Sequence, residues 1–162
     1  MILILGGVKS GKSSFALRKA LACPRPRAFV ATAEPIDDEM RLRIERHKAE
    51  RGDQFETFEE PVELPRLLER LEGYSVVVVD CLTVWLGNLF HYGLDVRDYC
   101  DRLLSSLRGN EVIVSNEVGL GVIGADRTTR LYVEQLGKLN SEIAGMADEV
   151  YMMIAGMSLR LK

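Results

Sequence analysis

The sequence predicts an α/β domain, with a mostly parallel central sheet and helices on both of its faces, and three features carry that prediction. Short aliphatic runs alternate with segments of helical periodicity; the glycine-rich stretch "GGVKSGKSS" stands between the first run and the first helix; and a later run, "SVVVVD", ends on an aspartate. Successive parallel strands need a crossover helix, so this alternation implies a sheet covered on both sides. At 162 residues and 47% hydrophobic content the chain is expected to form a single domain, residues 1–162.

The strands are expected at Ile2–Leu5, Ala28–Thr32, Val76–Val79, Val112–Val114 and Val150–Ile154, each a β-branched or aliphatic run bounded by Gly, Asp, Asn or Glu. The tail "SLRLK" at 158–162 fits a last edge strand. Helices are expected at Ser13–Cys23, Asp38–Arg51, Val62–Leu71, Val96–Leu107 and Thr128–Met146. In the last of these Leu131, Gln135, Leu139 and Ile143 recur at i, i+4, with Leu136 and Ala147 nearby. Trp85 falls in a further apolar helical stretch, "LTVWLGNLF", where it reads as a packing or subunit contact, and His91 reads as a helix-end or loop residue.

Composition excludes several function classes. A net charge of -3 gives no broad basic field for nucleic acid or an anionic membrane surface. The runs "MILIL" and "SVVVV" are far shorter than the ~20 residues of a membrane helix, and no basic region precedes the first, so a soluble, untargeted protein is expected, without stable membrane insertion. Cys23, Cys81 and Cys100 are odd in number, widely spaced and without a CxxC pair, which fits reduced thiols in the cytoplasm better than disulfides or a zinc site.

The chemistry begins at Gly6-Gly7-Val8-Lys9-Ser10-Gly11-Lys12-Ser13. Its glycines let backbone N–H groups turn into a concavity, and the helix that follows points its positive end at a phosphate. Lys12 is placed to reach β- and γ-phosphates, and the Ser13 hydroxyl to ligate Mg²⁺. Between a strand and a helix this is a P-loop, and the fold becomes a RecA-like P-loop NTPase. The acidic partner such a site needs is Asp80, at the end of the valine run, where it can orient Mg²⁺, cap the next helix, or do both. A P-loop does not by itself name a reaction, because motors, switches and kinases share it.

A second cluster lies in "RIERHKAER", residues 43–51. On a helix, Met40, Ile44 and His47 share one stripe while Arg43, His47 and Arg51 share another, so His47 sits where an apolar edge meets a cationic one. Two readings fit that spacing: a boundary histidine beside a solvated basic face, or a nucleophile in an anion site, where a neutral imidazole attacks phosphorus to form a labile N–P bond. Asn116 and Glu117, after the fourth strand, are candidates for positioning phosphate, substrate or water, and fit a structural turn equally well.

Taken in order, "GGVKSGKS", "ATAEPIDDEMRLRIERHKAER", "DCLTVWLGNL", "VSNEVGLGVI" and the C-terminal "AGMSLRLK" resemble the bifunctional adenosylcobinamide kinase / adenosylcobinamide-phosphate guanylyltransferase family of cobalamin biosynthesis. The likeness runs nearly end to end. It implies two reactions: phosphorylation of the aminopropanol hydroxyl of adenosylcobinamide with ATP or GTP, then transfer of GMP from GTP through a histidine to adenosylcobinamide phosphate, giving adenosyl-GDP-cobinamide. The resemblance makes His47 the guanylylated nucleophile and Lys12 the other catalytic residue, with Arg43, Lys48 and Arg51 near the triphosphate. It also implies nucleotide contacts from Thr32, Ala33, Glu34, Lys48, Ala49, Glu50, Arg51, Glu59 and Asp80, with Ser13 and Asp80 as the metal ligands and a homo-oligomer, a trimer, as the assembly.

The chain departs from the family pattern at Lys9, where arginine is usual, at "VIGADR" after "NEVGLG", and at "LYVEQ" around Tyr132 to Glu134. Without the resemblance, a single-activity small-molecule kinase and a non-enzymatic NTP-dependent switch both fit the motifs.

Overall fold

The computed structural model describes residues 1–35, 38, 41–42, 48, 52–121 and 124–162. Its strands are β1 (Ile2–Gly6), β2 (Arg27–Ala31), β3 (Glu56–Glu59), β4 (Val76–Asp80), β5 (Glu111–Val114), β6 (Glu149–Ile154) and β7 (Met157–Arg160). Its helices with defined bounds are α1 (Lys12–Leu21), α2 (Leu64–Arg70), α3 (Leu82–His91), α4 (Val96–Ser106) and α5 (Arg127–Met146). A short 3-10 turn covers Gly52–Gln54. Most of the expected helix at 38–51 lies outside the described residues; Asp38, Arg41, Leu42 and Lys48 within it are helical.

The strands form one sheet in the order β3-β2-β4-β5-β1-β6-β7, parallel except for β7, which pairs antiparallel with β6. The valine run of β4 shows why such strands read as unbroken apolar sequence. Val77 and Val79 enter the core shared with α2, α3, α4 and α5, while Val76 and Val78 enter the core shared with α1. Both faces are therefore covered, as the alternation required.

Register places the functional ends together. One row across the sheet aligns Glu59, Ala31, Asp80, Val114, Ile4 and Tyr151, so β2, β3, β4 and β5 end at a common level while β1 runs two residues further, to Gly6, into the P-loop. Ligands of open α/β sheets bind at this edge.

The structure differs from the sequence expectations in three places. β3 was not expected, because "ETFE" is a four-residue edge strand with its two glutamates exposed and lacks the apolar run of an internal strand. In α5 the buried stripe is Leu136, Leu139, Asn140 and Ile143, whereas Leu131 is exposed, so the apolar face is rotated from the expected one. α2 starts at Leu64 rather than Val62, with Pro65 in its first turn; the Glu60 carboxylate accepts from the Val62 and Glu63 N–H groups ahead of it. Trp85 is fully buried, its indole N–H donating to the Val62 carbonyl at 2.8 Å, which makes it a packing residue.

Candidate active site

The P-loop connects β1 to α1, and its shape is set by what surrounds it. Gly6 has φ +147°, and a Cβ there would lie 2.5 Å from the Met153 carbonyl oxygen of β6, a backbone atom that cannot swing aside. Gly11 caps α1 at φ +93°, with Gly156 Cα 3.4 Å from where its Cβ would stand. Between them Lys9 adopts a left-handed φ of +54°, uncommon for a residue with a side chain and typical of loops whose N–H groups converge on an anion. No acidic residue occupies the first turn of α1, so the positive end of the helix is left for a ligand.

Lys12 is 8% exposed and donates from Nζ to the Gly7 carbonyl at 2.6 Å, which folds its ammonium back over the loop. Asp80 stands half-buried at the end of β4. A cleft of about 590 Å³ is lined by Val8 through Ser14 together with Leu42, Asp80, Cys81, Val84, Val114 and Asn116. That volume suits a small-molecule ligand. Burial, and then the adjacent Asp80 carboxylate, push the Cys81 thiol up to about 11, so it is a neutral wall of the cleft and not a nucleophile.

The acidic wall is braced from behind by Thr32. Its hydroxyl donates to the Cys81 carbonyl at 2.8 Å and accepts from the Cys81 N–H at 2.9 Å, while its own N–H donates to the Asp80 carbonyl at 3.2 Å. The Asn88 carboxamide closes the bracket by donating to the carbonyls of Thr32 and Pro61 at 2.9 and 3.0 Å. Thr32 is fully buried, with both hydrogen-bonding capacities of its hydroxyl engaged by Cys81. Its position is that of a tie between β2 and β4.

The structure brings Gly6, Gly7, Val8, Lys9, Ser10, Gly11, Lys12, Ser13 and Asp80 to one place. Ala33 is half-buried just beyond β2. Next to it Glu34 accepts from the Tyr92 hydroxyl at 2.8 and 3.1 Å, and this hydrogen bond raises the tyrosine pKa above its ordinary value. Lys48 and Glu59 form an exposed ion pair at 3.5 Å, which carries the carboxyl end of β3 toward the segment that follows β2. His47, Arg43, Ala49, Glu50 and Arg51 lie outside the described residues. Leu42, Val84 and Cys81 join the cleft without having been marked by sequence; being apolar or neutral, they carry no motif signal.

Ser13 and Asp80 offer a hydroxyl and a carboxylate to the same cleft. Hard oxygen donors of this kind fit Mg²⁺, whose remaining positions are filled by phosphate oxygens and water. The described residues contain no cluster of three or more His, Cys, Asp or Glu side chains that would hold a metal by themselves. The donor set therefore suits a metal that arrives with a nucleotide.

Comparison with known proteins adds an independent line. The profile of the family described as cobinamide kinase / cobinamide phosphate guanyltransferase matches residues 2–161. The bifunctional adenosylcobalamin biosynthesis protein CobP of Pseudomonas aeruginosa is 39% identical over 99% of this chain and 96% of its own. The bifunctional adenosylcobalamin biosynthesis proteins CobU of Escherichia coli and Salmonella typhimurium are each 30% identical over 100% of this chain and 99% of theirs. Among solved structures, the flagellar accessory protein FlaH of Methanocaldococcus jannaschii superposes with a TM-score of 0.52, covering 99% of this chain and 77% of that one at 11% identity, a likeness of fold alone.

Proposed function

The chain belongs to the cobinamide kinase / cobinamide phosphate guanyltransferase family, and from that premise we propose how one cleft serves both of the family's transfers. The enzyme is a transferase that phosphorylates a cobinamide and guanylylates the cobinamide phosphate in cobalamin biosynthesis. The observation that carries the reading is that Lys12, Ser13 and Asp80 line one cleft at the P-loop.

In the kinase reaction the acceptor is the aminopropanol hydroxyl of adenosylcobinamide and the donor ATP or GTP. The hydroxyl oxygen bonds to the γ-phosphorus as the bond to the β-phosphate oxygen breaks. Lys12 and the loop N–H groups stabilise charge on the equatorial oxygens and on the departing diphosphate. Ser13 and Asp80 would hold Mg²⁺, which when bound would supply charge neutralisation to the triphosphate. In the guanylyl reaction an imidazole nitrogen of His47 attacks the α-phosphorus of GTP and pyrophosphate leaves. Adenosylcobinamide phosphate then takes GMP from the histidine, forming the P–O–P link of adenosyl-GDP-cobinamide as the N–P bond breaks. Glu34, Glu59, Lys48 and Arg51 would contact the guanine nucleotide.

A homo-oligomer, a trimer by family resemblance, fits the apolar strip on the β6–β7 hairpin. Ile154, Met157, Leu159 and Leu161 are each more than half exposed there, and register puts them on the sheet face that carries Val150 and Met152. No helix among the described residues is long and apolar enough to cross a membrane; a cytoplasmic location is part of the same proposal. The test of the whole reading is incubation with Mg²⁺ and GTP labelled in turn at the α- and γ-phosphates, followed by denaturation and peptide mapping. Acid-labile, base-stable α-label on His47 is the expected result. Absence of covalent label with nucleotide binding intact would leave only a kinase.

A further inference from the structure

Asn116 stands two residues beyond the point where β5 aligns with Ile4 on one side and Asp80 on the other. It therefore emerges between the P-loop strand and the Asp80 strand, and it lines the cleft with Lys12 and Ser13. Its sequence left it open between positioning phosphate, substrate or water and forming a structural turn, and in the structure two helices fix its backbone. Its N–H donates to Thr83 Oγ1 on α3 at 2.7 Å, and its carbonyl accepts from Asn140 Nδ2 on α5 at 3.2 Å. Thr83 is itself held, because the Tyr132 hydroxyl of α5 donates to its carbonyl at 2.8 Å while the Tyr132 ring packs edge-on against Phe90. The N–H of the following residue, Glu117, donates to the Gly6 carbonyl at 3.2 Å, tying the segment to the P-loop.

Asn140 shows that this arrangement is more than packing. It is 4% exposed and sits in the apolar seam of α5 among Leu136, Leu139 and Ile143. Its carboxamide oxygen has no hydrogen-bond partner. Burying a half-satisfied amide is unfavourable, and a leucine of similar volume would continue the seam without that penalty. Core stability therefore does not account for an asparagine at this position, whereas fixing the Asn116 carbonyl does.

We propose that Asn116 is a catalytic residue of the phosphoryl transfer, its side-chain amide donating to an oxygen of the moving γ-phosphoryl group, and that Asn140 and Thr83 are positioning residues that aim it. The inference rests on the kinase reading. In the step itself the acceptor oxygen bonds to the γ-phosphorus, the electron pair of the broken P–O bond leaves with the nucleoside diphosphate, and the hydroxyl proton passes to solvent. Asn116 exchanges no proton; it stabilises charge that grows on the phosphoryl oxygens.

The test compares wild type with Asn116→Ala, Asn116→Asp, Thr83→Val and Asn140→Leu, as full chains, in three measurements: kcat for cobinamide phosphorylation, Kd for the Mg²⁺-nucleotide, and Tm. Removing one such donor costs about 100-fold in kcat. Asn116→Ala should show that loss with nucleotide Kd changed less than about 5-fold, because the interaction strengthens only as the transition state forms. Asn116→Asp keeps the shape and loses the donor, so it should do no better than alanine. Thr83→Val and Asn140→Leu should lower kcat by about 10-fold, Asn140→Leu with no fall in Tm. Asn116 variants that keep kcat within about 2-fold of wild type would overturn the proposal, as would a rate loss matched by an equal loss of nucleotide affinity. Should Asn140→Leu fail to fold, Asn116→Asp alone decides, since its position at the cleft tolerates a carboxylate. A wild-type enzyme without turnover would overturn the kinase reading, and this inference with it.

Discussion

The backbone N–H of Gly156 donates to the carbonyl oxygen of Ser10 at 3.1 Å, so the turn of the β6–β7 hairpin holds the phosphate-binding loop from outside. Two substitutions separate the ways in which that support acts. Gly6→Ala would drive a Cβ against the Met153 carbonyl oxygen 2.5 Å away and displace the loop, so nucleotide affinity should fall at least about 100-fold, or nearly 3 kcal/mol. Gly156→Ala meets no neighbouring atom but places a side chain at φ +82°, a penalty of about 1–2 kcal/mol in conformation alone. Its expected signature is a fall in Tm of a few degrees with a much smaller change in affinity. Equal losses of affinity in both variants would show that the hairpin contact matters more than the shape of the loop.

Thr32 provides a second contrast, between a nucleotide contact and a structural tie. Thr32→Val removes the hydroxyl that serves both the N–H and the carbonyl of Cys81; the carbonyl keeps the Trp85 N–H at 3.1 Å, so the Cys81 N–H is the group left unpaired, at about 1–3 kcal/mol. Equilibrium urea unfolding should register a loss of about 1–3 kcal/mol, while Thr32→Ser, which keeps the hydroxyl, should stay within about 1 kcal/mol of wild type. A Thr32→Val protein of wild-type stability that had lost only guanine-nucleotide affinity would instead make Thr32 a ligand contact.

Legibility in the sequence followed the range of the interactions. The P-loop could be read because its eight residues are contiguous and each answers a local demand: Gly6 and Gly11 for backbone shape, Lys12 for charge, Ser13 for a hydroxyl. The valine run of β4 could be read because burial on both faces removes the usual alternation. The tie at Thr32 could not, since its partner Cys81 lies 49 positions away and nothing in either local sequence points to the other. Asn140 was hidden for a related reason: within an α5 stripe phased on Leu131 and Gln135 it falls off the apolar face, and only the packed helix shows that it is buried. Edge strand β3, polar and four residues long, carries too little apolar pattern to stand out. His47 was singled out by its cationic surroundings, but spacing left two readings open and only family resemblance chose between them.

Stability at alkaline pH should carry the mark of three groups kept neutral by burial: the Cys81 thiol already described, Cys100 and Tyr132. Burial, and then the Glu142 carboxylate, push the Cys100 thiol from its ordinary 9.0 up to about 11, and burial pushes the Tyr132 hydroxyl from 10.0 up to about 12. Between pH 9 and 11 the unfolded chain has released the Cys100 proton while the folded chain keeps it, so the native state binds more protons and stability falls as pH rises. The Tyr132 contribution falls in the same sense between pH 10 and 12. Each is on the order of 2 kcal/mol across its window. Urea unfolding measured at intervals from pH 8 to 11 should show this decline, and Cys100→Ala should make the slope shallower between 9 and 11. An unchanged slope in that variant would place the decline elsewhere.

The two activities should separate at His47. On the proposed roles, phosphoryl transfer from the γ-position uses the P-loop, Lys12 and the Ser13–Asp80 pair, and none of these depends on an imidazole. Guanylyl transfer through a covalent intermediate needs a nucleophile at the α-phosphorus, and alanine has none. His47→Ala should therefore lose GMP transfer to cobinamide phosphate, and with it the α-label from GTP, while phosphorylation of cobinamide keeps a measurable rate. Lys12→Ala should reverse the emphasis by impairing both reactions, since each passes through a charged triphosphate held in the same cleft. Parallel assays of γ-label transfer to cobinamide and pyrophosphate release from GTP, on wild type and both variants, read the two steps independently. Full guanylyl transfer by His47→Ala would sink the nucleophile assignment and require direct attack by cobinamide phosphate on the α-phosphorus. In that case the basic segment around residue 47 would act only by neutralising the triphosphate, and replacing Lys48 or Arg51 would raise KM for GTP with little change in kcat.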